Sequence, residues 1–266
     1  MLQAFRLFIR VTLIVFILSA GIAISGYVLI NFAISSKGQN AKAEIILVSP
    51  GDGDNTISWE LYRKKIISNR YYYFIAKYAS IKSFVPKVGE YEIPAHATLR
   101  HAMDIMHAGV SLQRKVTFPE GLTSKEIISI LNNAPFMTEQ IIFIPEEGRL
   151  FPDTYFYTYG MSRHDILNIV SQKSEITIAE LWADRQKNLP IKTPREAIIL
   201  ASIVEQETGQ PDERALVASV FLNRLRLNMP LQSDPTVIYG LKKKGVPPKR
   251  LLKKHERDVL FFLLLL

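Results

Sequence analysis

The 266-residue sequence contains no cysteine. Disulfide frameworks, thiolate metal sites and thiol nucleophiles are therefore excluded. An oxidising compartment stays open, because a chain with 48% apolar residues builds a core without covalent staples. Metal-ligand spacing is lacking too. His96, His101, His107 and His164 form no HExxH pair, and Asp52 and Asp54 begin a calcium-like loop that continues with Ile57 and Arg63 where glycine and glutamate are needed. No cofactor and no metal is expected. A basic body is also missing. The net charge is +8, but residues 242–266 hold eight Lys or Arg against two acids, so the rest is close to neutral. Nucleic acid is therefore not an expected partner.

Charge itself is absent from Val11 to Ser36. Val11 to Ile30 is apolar apart from Thr12, Ser19 and Ser25. About 20 such residues at ~1.5 Å each span a ~30 Å hydrocarbon core. Arg6 and Arg10 precede the run without acidic company, which places the N-terminus in the cytoplasm. A cleaved signal would carry a shorter apolar region of about 7–15 residues. This run is longer, and Ser19-Ala20-Gly21 falls inside it. The reading is a cytoplasmic tail over 1–10 and a single uncleaved transmembrane helix over 11–32, with the remainder exported.

Ser35 to Lys42 reads as a short polar linker. Short strands and helices then alternate: strands at 44–49, 88–93 and 115–118, and helices at 57–67, from Leu99 to a stop at Gly109, and from Thr123 with Glu126 completing a capping box. Two strand–Pro–Gly–helix units give a weak internal echo. The aromatic run Tyr71-Tyr72-Tyr73-Phe74 suits a core or interface, with sugar stacking as the other use. Further on, 147–155 reads as a loop and 165–183 as a helix. Thr193-Pro194-Arg195-Glu196 is a strong helix start. The apolar stretch 197–204 predicts that this helix is buried on most sides and presents Glu205 and Glu207 in its last turn. A further helix follows from Pro211 to about Leu227. The fold class is α+β: an anchor helix, a small α+β domain over 41–140, and a mostly helical domain over 141–240.

A carboxyl at the end of a buried helix suits general-acid chemistry, since desolvation favours its protonated form. Glu205 has small residues, Ala201 and Ser202, one turn back, which leave room for a substrate. Glu207 has Ile203 and Val204 there. Glu205 is the better candidate. A helix-end salt bridge, for instance to Arg214 or Arg224, is the other reading of the same residue.

Ala201-Ser202-Ile203-Val204-Glu205-Gln206-Glu207-Thr208 resembles the signature of the endolytic murein transglycosylase, or YceG-like, family. Glu147-Gly148 with Leu150-Phe151-Pro152-Asp153-Thr154-Tyr155 looks like a second family motif. Val220 to Leu225 and Leu231 to Gly240 are similar to a third and a fourth. The resemblance implies a LysM-like first domain and a lytic transglycosylase domain after it, a lyase of the inner membrane. It implies cleavage of peptidoglycan glycan strands between N-acetylmuramic acid and N-acetylglucosamine, leaving a 1,6-anhydro end and so terminating or trimming nascent strands. Glu205 matches the family's catalytic glutamate, with Asn223, Gln232 and Asp234 as cleft residues. Glycan strands, the membrane and peptidoglycan synthases are the implied partners. A water-using muramidase with Asp153 or Glu207 as second carboxylate is a weaker reading. After Gly240 the sequence turns basic and apolar through 241–266, which reads as a departure from the family, as by truncation or a shifted frame. The expectation is an incomplete catalytic domain with weak or no activity, and the alternative function is a catalytically impaired, membrane-anchored peptidoglycan-binding protein.

Overall fold

The computed structural model describes residues 2–80 and 84–243, so the basic-apolar tail lies almost wholly outside the described residues. Two compact units are present: residues 1–114 with 158–160, and residues 115–157 with 161–266. Residues 115–140, expected with the first domain, pack in the second unit.

The first unit begins with α1 (Leu2–Ser35), one helix long and apolar enough, over Ile9–Ser35, to cross a membrane. Its end is not followed by a free linker. Ala33 and Ile34 are buried, and Ile34 belongs to the unit's core cluster. Lys37 bridges Thr98, Gly38 N–H donates to the Ala97 carbonyl (3.0 Å), and Gln39 N–H donates to Lys65 O (2.8 Å). Asn40, 4% exposed, donates its amide to the carbonyls of Lys42 and Pro94. The linker expectation fails because these polar residues find backbone partners on the domain itself.

β1 (Glu44–Val48) and β2 (Gly89–Ile93) form an antiparallel pair with Ile46 opposite Tyr91. Period-two alternation sends Ile46, Val48, Tyr91 and Ile93 into the core. There they join side chains of α2 (Asp54–Arg63), α3 (Tyr71–Ile75) and α4 (Leu99–Ala108). α3 runs on into a π-helical turn, Ala76–Ser80. α4 is capped by Thr98, whose hydroxyl accepts from His101 N–H, and is stopped by Gly109 at φ 74°. Asp54 starts α2. Burial pushes its carboxyl up, but hydrogen bonds from Lys77 (2.6 Å) and Tyr73 (2.7 Å) outweigh burial and hold it below the usual range. Its partners are thus a lysine and two tyrosines, Tyr73 and Tyr78. Among the described residues no cluster of three or more potential metal ligands occurs.

In the second unit, β3 (Arg114–Thr117) pairs with β4 (Thr154–Tyr157). β4 replaces the end of what reads in sequence as a loop: its residues Thr-Tyr-Phe-Tyr all favour strands, but the Pro152-Asp153 pair ahead of them gives the loop signal. α5 (Ser124–Asn133) opens with the expected capping box of Thr123 and Glu126. α6 (Arg163–Ala183) buries Ile166, Leu167 and Val170 against Phe118, Ile127, Leu131 and Tyr155. Arg163 is 6% exposed and donates to four carbonyls, those of Leu131, Met137, Glu139 and Ala134, at 2.7–2.9 Å. It ties the end of α5 and the following loop to the start of α6. The chain then forms α7 (Pro194–Glu207), α8 (Pro211–Arg226) and α9 (Asp234–Lys243).

Candidate active site

α7 starts as its sequence dictates. Thr193 accepts from Glu196 N–H at 3.2 Å, Pro194 takes the first turn, and Glu196 reaches back to Lys192 N–H at 2.6 Å. The helix is not buried on most sides, contrary to expectation. Only Leu200, Ile203 and Val204 are buried, packing with Phe221 of α8, while Ala201 and Ser202 are exposed. An apolar run reports that water is disfavoured; it does not report how many neighbours the fold supplies. Among the described residues the neighbours cover one side.

The open side holds a depression of about 330 Å³, with Ala197, Ala201, Val204, Ala218, Glu205 and Arg214 among its lining residues. Small side chains at 201 and 218 leave this space, as the helical spacing predicts for position 201. Glu205 stands at its edge, about three-quarters buried. Its carboxylate meets the Arg214 guanidinium at 2.9 Å. The same guanidinium nitrogen, Nη2, meets the Glu120 carboxylate at 2.9 Å. Arg214 Nε is buried without a hydrogen-bond partner. One cation is therefore shared by two carboxylates, one on α7 and one on the β3–α5 turn.

That turn is drawn to the end of α7 by a second contact. Gln206 donates its amide to Gly121 O at 3.0 Å. Gly121 has φ 78°, a backbone conformation that calls for glycine, and a Cβ there would lie 2.6 Å from the Gln206 amide nitrogen and push that side chain aside. The second Glu-Gly turn lies two helical turns back along α7. Gly148, φ 82°, would place a Cβ 2.7 Å from Ile198, while Glu147 accepts from Ser124 N–H (2.8 Å) at the start of α5. Sequence inspection marked Glu147-Gly148 as part of a motif but gave Pro119-Glu120-Gly121 only a turn. The signal was there in the repeated Glu-Gly pair.

Glu207 is a different kind of acid. It accepts from the Ser233 hydroxyl at 2.5 Å, which fixes the loop between α8 and α9 to the end of α7. Gln232 and Asp234 flank that serine and are exposed; Gln232 holds a left-handed φ of 51°. Asn223 is exposed on α8 and accepts from Arg226 at 3.1 Å. Among the described residues, no hydrogen bond or ion pair joins Asn223, Gln232 or Asp234 to Glu205. Asp153 is paired with Lys173, and hydrogen bonds from Lys173 and Thr154 N–H hold its carboxyl below the usual range.

The YceG-like family profile matches residues 46–259, four-fifths of the sequence, and the chain belongs to that family. The match runs past Gly240, so the resemblance does not end there as expected, and Gly245-Val246-Pro247-Pro248 lies inside it. It starts after α1. A Bacillus subtilis protein named endolytic murein transglycosylase is 36% identical over 97 residues, covering 36% of this chain and 26% of that protein. A Streptococcus pneumoniae protein of the same name is 27% identical over 145 residues, covering 48% of this chain and 26% of its own length. The chain thus matches about a quarter of the length of these relatives. A solved yceG-like protein from Listeria monocytogenes aligns with 80% of this chain and 79% of its own, at 24% identity and a TM-score of 0.42.

Proposed function

We propose that the chain is an endolytic lytic transglycosylase acting on the glycan strands of peptidoglycan, with Glu205 as both acid and base. The observation that carries the reading is Glu205 itself: it sits in the family-signature position and at the edge of an open, small-residue depression. In the first step its protonated carboxyl donates to the glycosidic oxygen between N-acetylmuramic acid and N-acetylglucosamine. The carboxylate then takes the proton of the muramic C6 hydroxyl, which closes the 1,6-anhydro ring. The substrate's hydroxyl replaces the second carboxylate that hydrolytic glycosidases need. In the resting geometry the acid is engaged by Arg214, so the first step requires the contact with Glu205 to open while the same nitrogen keeps its contact with Glu120. Asn223, Gln232 and Asp234 are assigned to the glycan cleft; their exposure supports this. Asp153 is held by Lys173, which argues against the hydrolytic variant.

The first unit is assigned a LysM-like role in holding glycan, and α1 the role of a single-pass inner-membrane anchor with the N-terminus in the cytoplasm. Peptidoglycan synthases are the assigned protein partners. The Glu205–Arg214 ion pair also favours a second reading, a membrane-anchored peptidoglycan-binding protein in which the acid is locked. One experiment separates them: the full chain in detergent is incubated with peptidoglycan and the products are weighed by mass spectrometry. Anhydro-muramic ends that vanish with Glu205→Gln and persist with Glu207→Gln support the transglycosylase. Glycan binding without any anhydro product supports the second reading. Loss of a general acid typically lowers the rate about 10²- to 10⁴-fold.

A further inference from the structure

We propose that the first unit is docked on the bilayer surface through a tyrosine collar around the end of α1, with phospholipid headgroups as its partner. The inference rests on the reading of α1 as a membrane anchor. The charge-free part of α1 begins at Val11, and ~20 residues at ~1.5 Å each bring a spanning helix to about Ile30. Asn31 and Phe32 then stand at headgroup level. Ala33 and Ile34 are already core residues of the first unit, at 0% and 4% exposure. The next residues are strapped down by the Lys37–Thr98 bridge and by the backbone bonds of Gly38 and Gln39. No slack separates anchor from domain, so the domain's height above the bilayer is set by the fold.

What the fold puts at that height is α3 and its π-helical continuation, both packed against α1. Phe32 meets Tyr72 edge to face, with ring centroids 6.1 Å apart. Tyr73 turns inward and is fully buried, whereas Tyr71 and Tyr78 are 63% and 65% exposed. These two lie seven residues apart, Tyr71 at the start of α3 and Tyr78 in its π-helical continuation, where the Tyr78 hydroxyl donates to Asp54 at 3.5 Å. The Arg70 guanidinium lies 5.5 Å from the Tyr71 ring centroid. A tyrosine suits the boundary layer because its ring is apolar and its hydroxyl is wet, and arginine brings phosphate-binding donors. In bulk water two such rings would gain nothing from exposure; beside a spanning helix they have a place to go.

The chain has no cysteine, so one introduced thiol gives one labelling position. Tyr71→Cys, Tyr78→Cys and, as a control on β1, the exposed Ile45→Cys are each labelled with a polarity-sensitive fluorophore. The full chain is then placed in phosphatidylcholine vesicles with and without lipid-borne quencher. Labels at 71 and 78 are expected to shift to the blue, brighten several-fold and be quenched by the lipid, while the label at 45 emits as in water. Water-like emission at all three positions, in a chain that floats with the vesicles, overturns the collar and leaves the anchor standing. A chain that does not float overturns the anchor reading, and the collar with it. Variants enter the comparison only if they melt like the unmodified chain, and either of the two collar positions alone decides it.

Discussion

The core of the first unit and the α7–α9 layer of the second are built from similar residues to different densities. Among the described residues the first encloses seventeen buried apolar side chains, including Tyr73, Phe84, Tyr91 and three helices' worth of aliphatics around a two-stranded sheet. The second has Leu200, Ile203, Val204 and Phe221 buried, with half-covered neighbours such as Val217 and Leu222. Leu216, Val220, Leu227 and Met229 stay exposed there. The sparse region is the one that holds Glu205, ion-paired with Arg214 beside an open depression. Close packing fixes a fold, and a ligand site needs a surface that packing has left open.

The sharpest way to break this comparison is to remove one aliphatic side chain from each region. Leu61 is fully enclosed, so Leu61→Ala leaves a cavity that cannot collapse and is expected to cost about 4 kcal/mol. Ile203→Ala opens onto a thinly covered layer and is expected to cost roughly half as much. Denaturant unfolding in detergent, followed by probes in each unit, measures both. Equal losses would mean that the α7–α9 layer is as tightly packed as the first core.

Arg163 lies in the denser part of the second unit and fails differently. Replacing it with Met strands four carbonyls that its guanidinium now satisfies. Hydrogen bonds to a charged group are worth ~1.5–3 kcal/mol and buried orphaned acceptors are costly, so Arg163→Met should destabilise by about 3 kcal/mol. Arg163→Lys should recover little of this, because an ammonium cannot match the guanidinium's fork. Thermal melts of the two variants check the order.

A smaller effect tests where the first unit begins. Cutting the chain at Ser36 removes Ala33 and Ile34 from the core, whereas cutting ahead of Ile30 keeps them. Burial of an isoleucine contributes ~1.5–3 kcal/mol, so the shorter fragment should be less stable by about 2 kcal/mol. Identical melting of the two fragments would restore the free linker that the sequence suggests.

What could be read beforehand divides along the same line. Thr123 with Glu126, Thr193 with Pro194 and the stop at Gly109 are local chemistry, complete within four residues, and each is found as expected. The strap at 37–40 and strand β4 depend on partners between 26 and 61 residues away, such as Ala97 for Gly38 and Asp153 for Phe118, which no short window contains. The site shows both cases. The room beside Glu205 follows from helical spacing to Ala201. The cation shared with Glu120 joins residues 94 positions apart and is visible only in the fold.

The smallest expected effect concerns Tyr155, which links the loop after Gly148 to β4. Its hydroxyl donates to Phe151 O at 2.8 Å, and its ring stacks obliquely on Phe118. Burial, with the charge of Asp153 nearby, pushes this phenol up to about 12. In the unfolded chain the group ionises near its ordinary value of ~10. Between those values the unfolded state has lost a proton that the folded state keeps, so stability falls as pH rises. Below about pH 10 both states are protonated and the contribution is intact. Tyr155→Phe removes the hydrogen bond, worth about 1 kcal/mol, and with it the titrating group. The variant should therefore be slightly weaker than the parent at pH 8, and the gap should narrow between about pH 10 and 12. Unfolding curves at pH 8 and pH 11 decide the point. A gap that widens with pH would mean that the phenol ionises more readily in the folded chain, and that its surroundings beside the Phe118 ring are wet rather than closed.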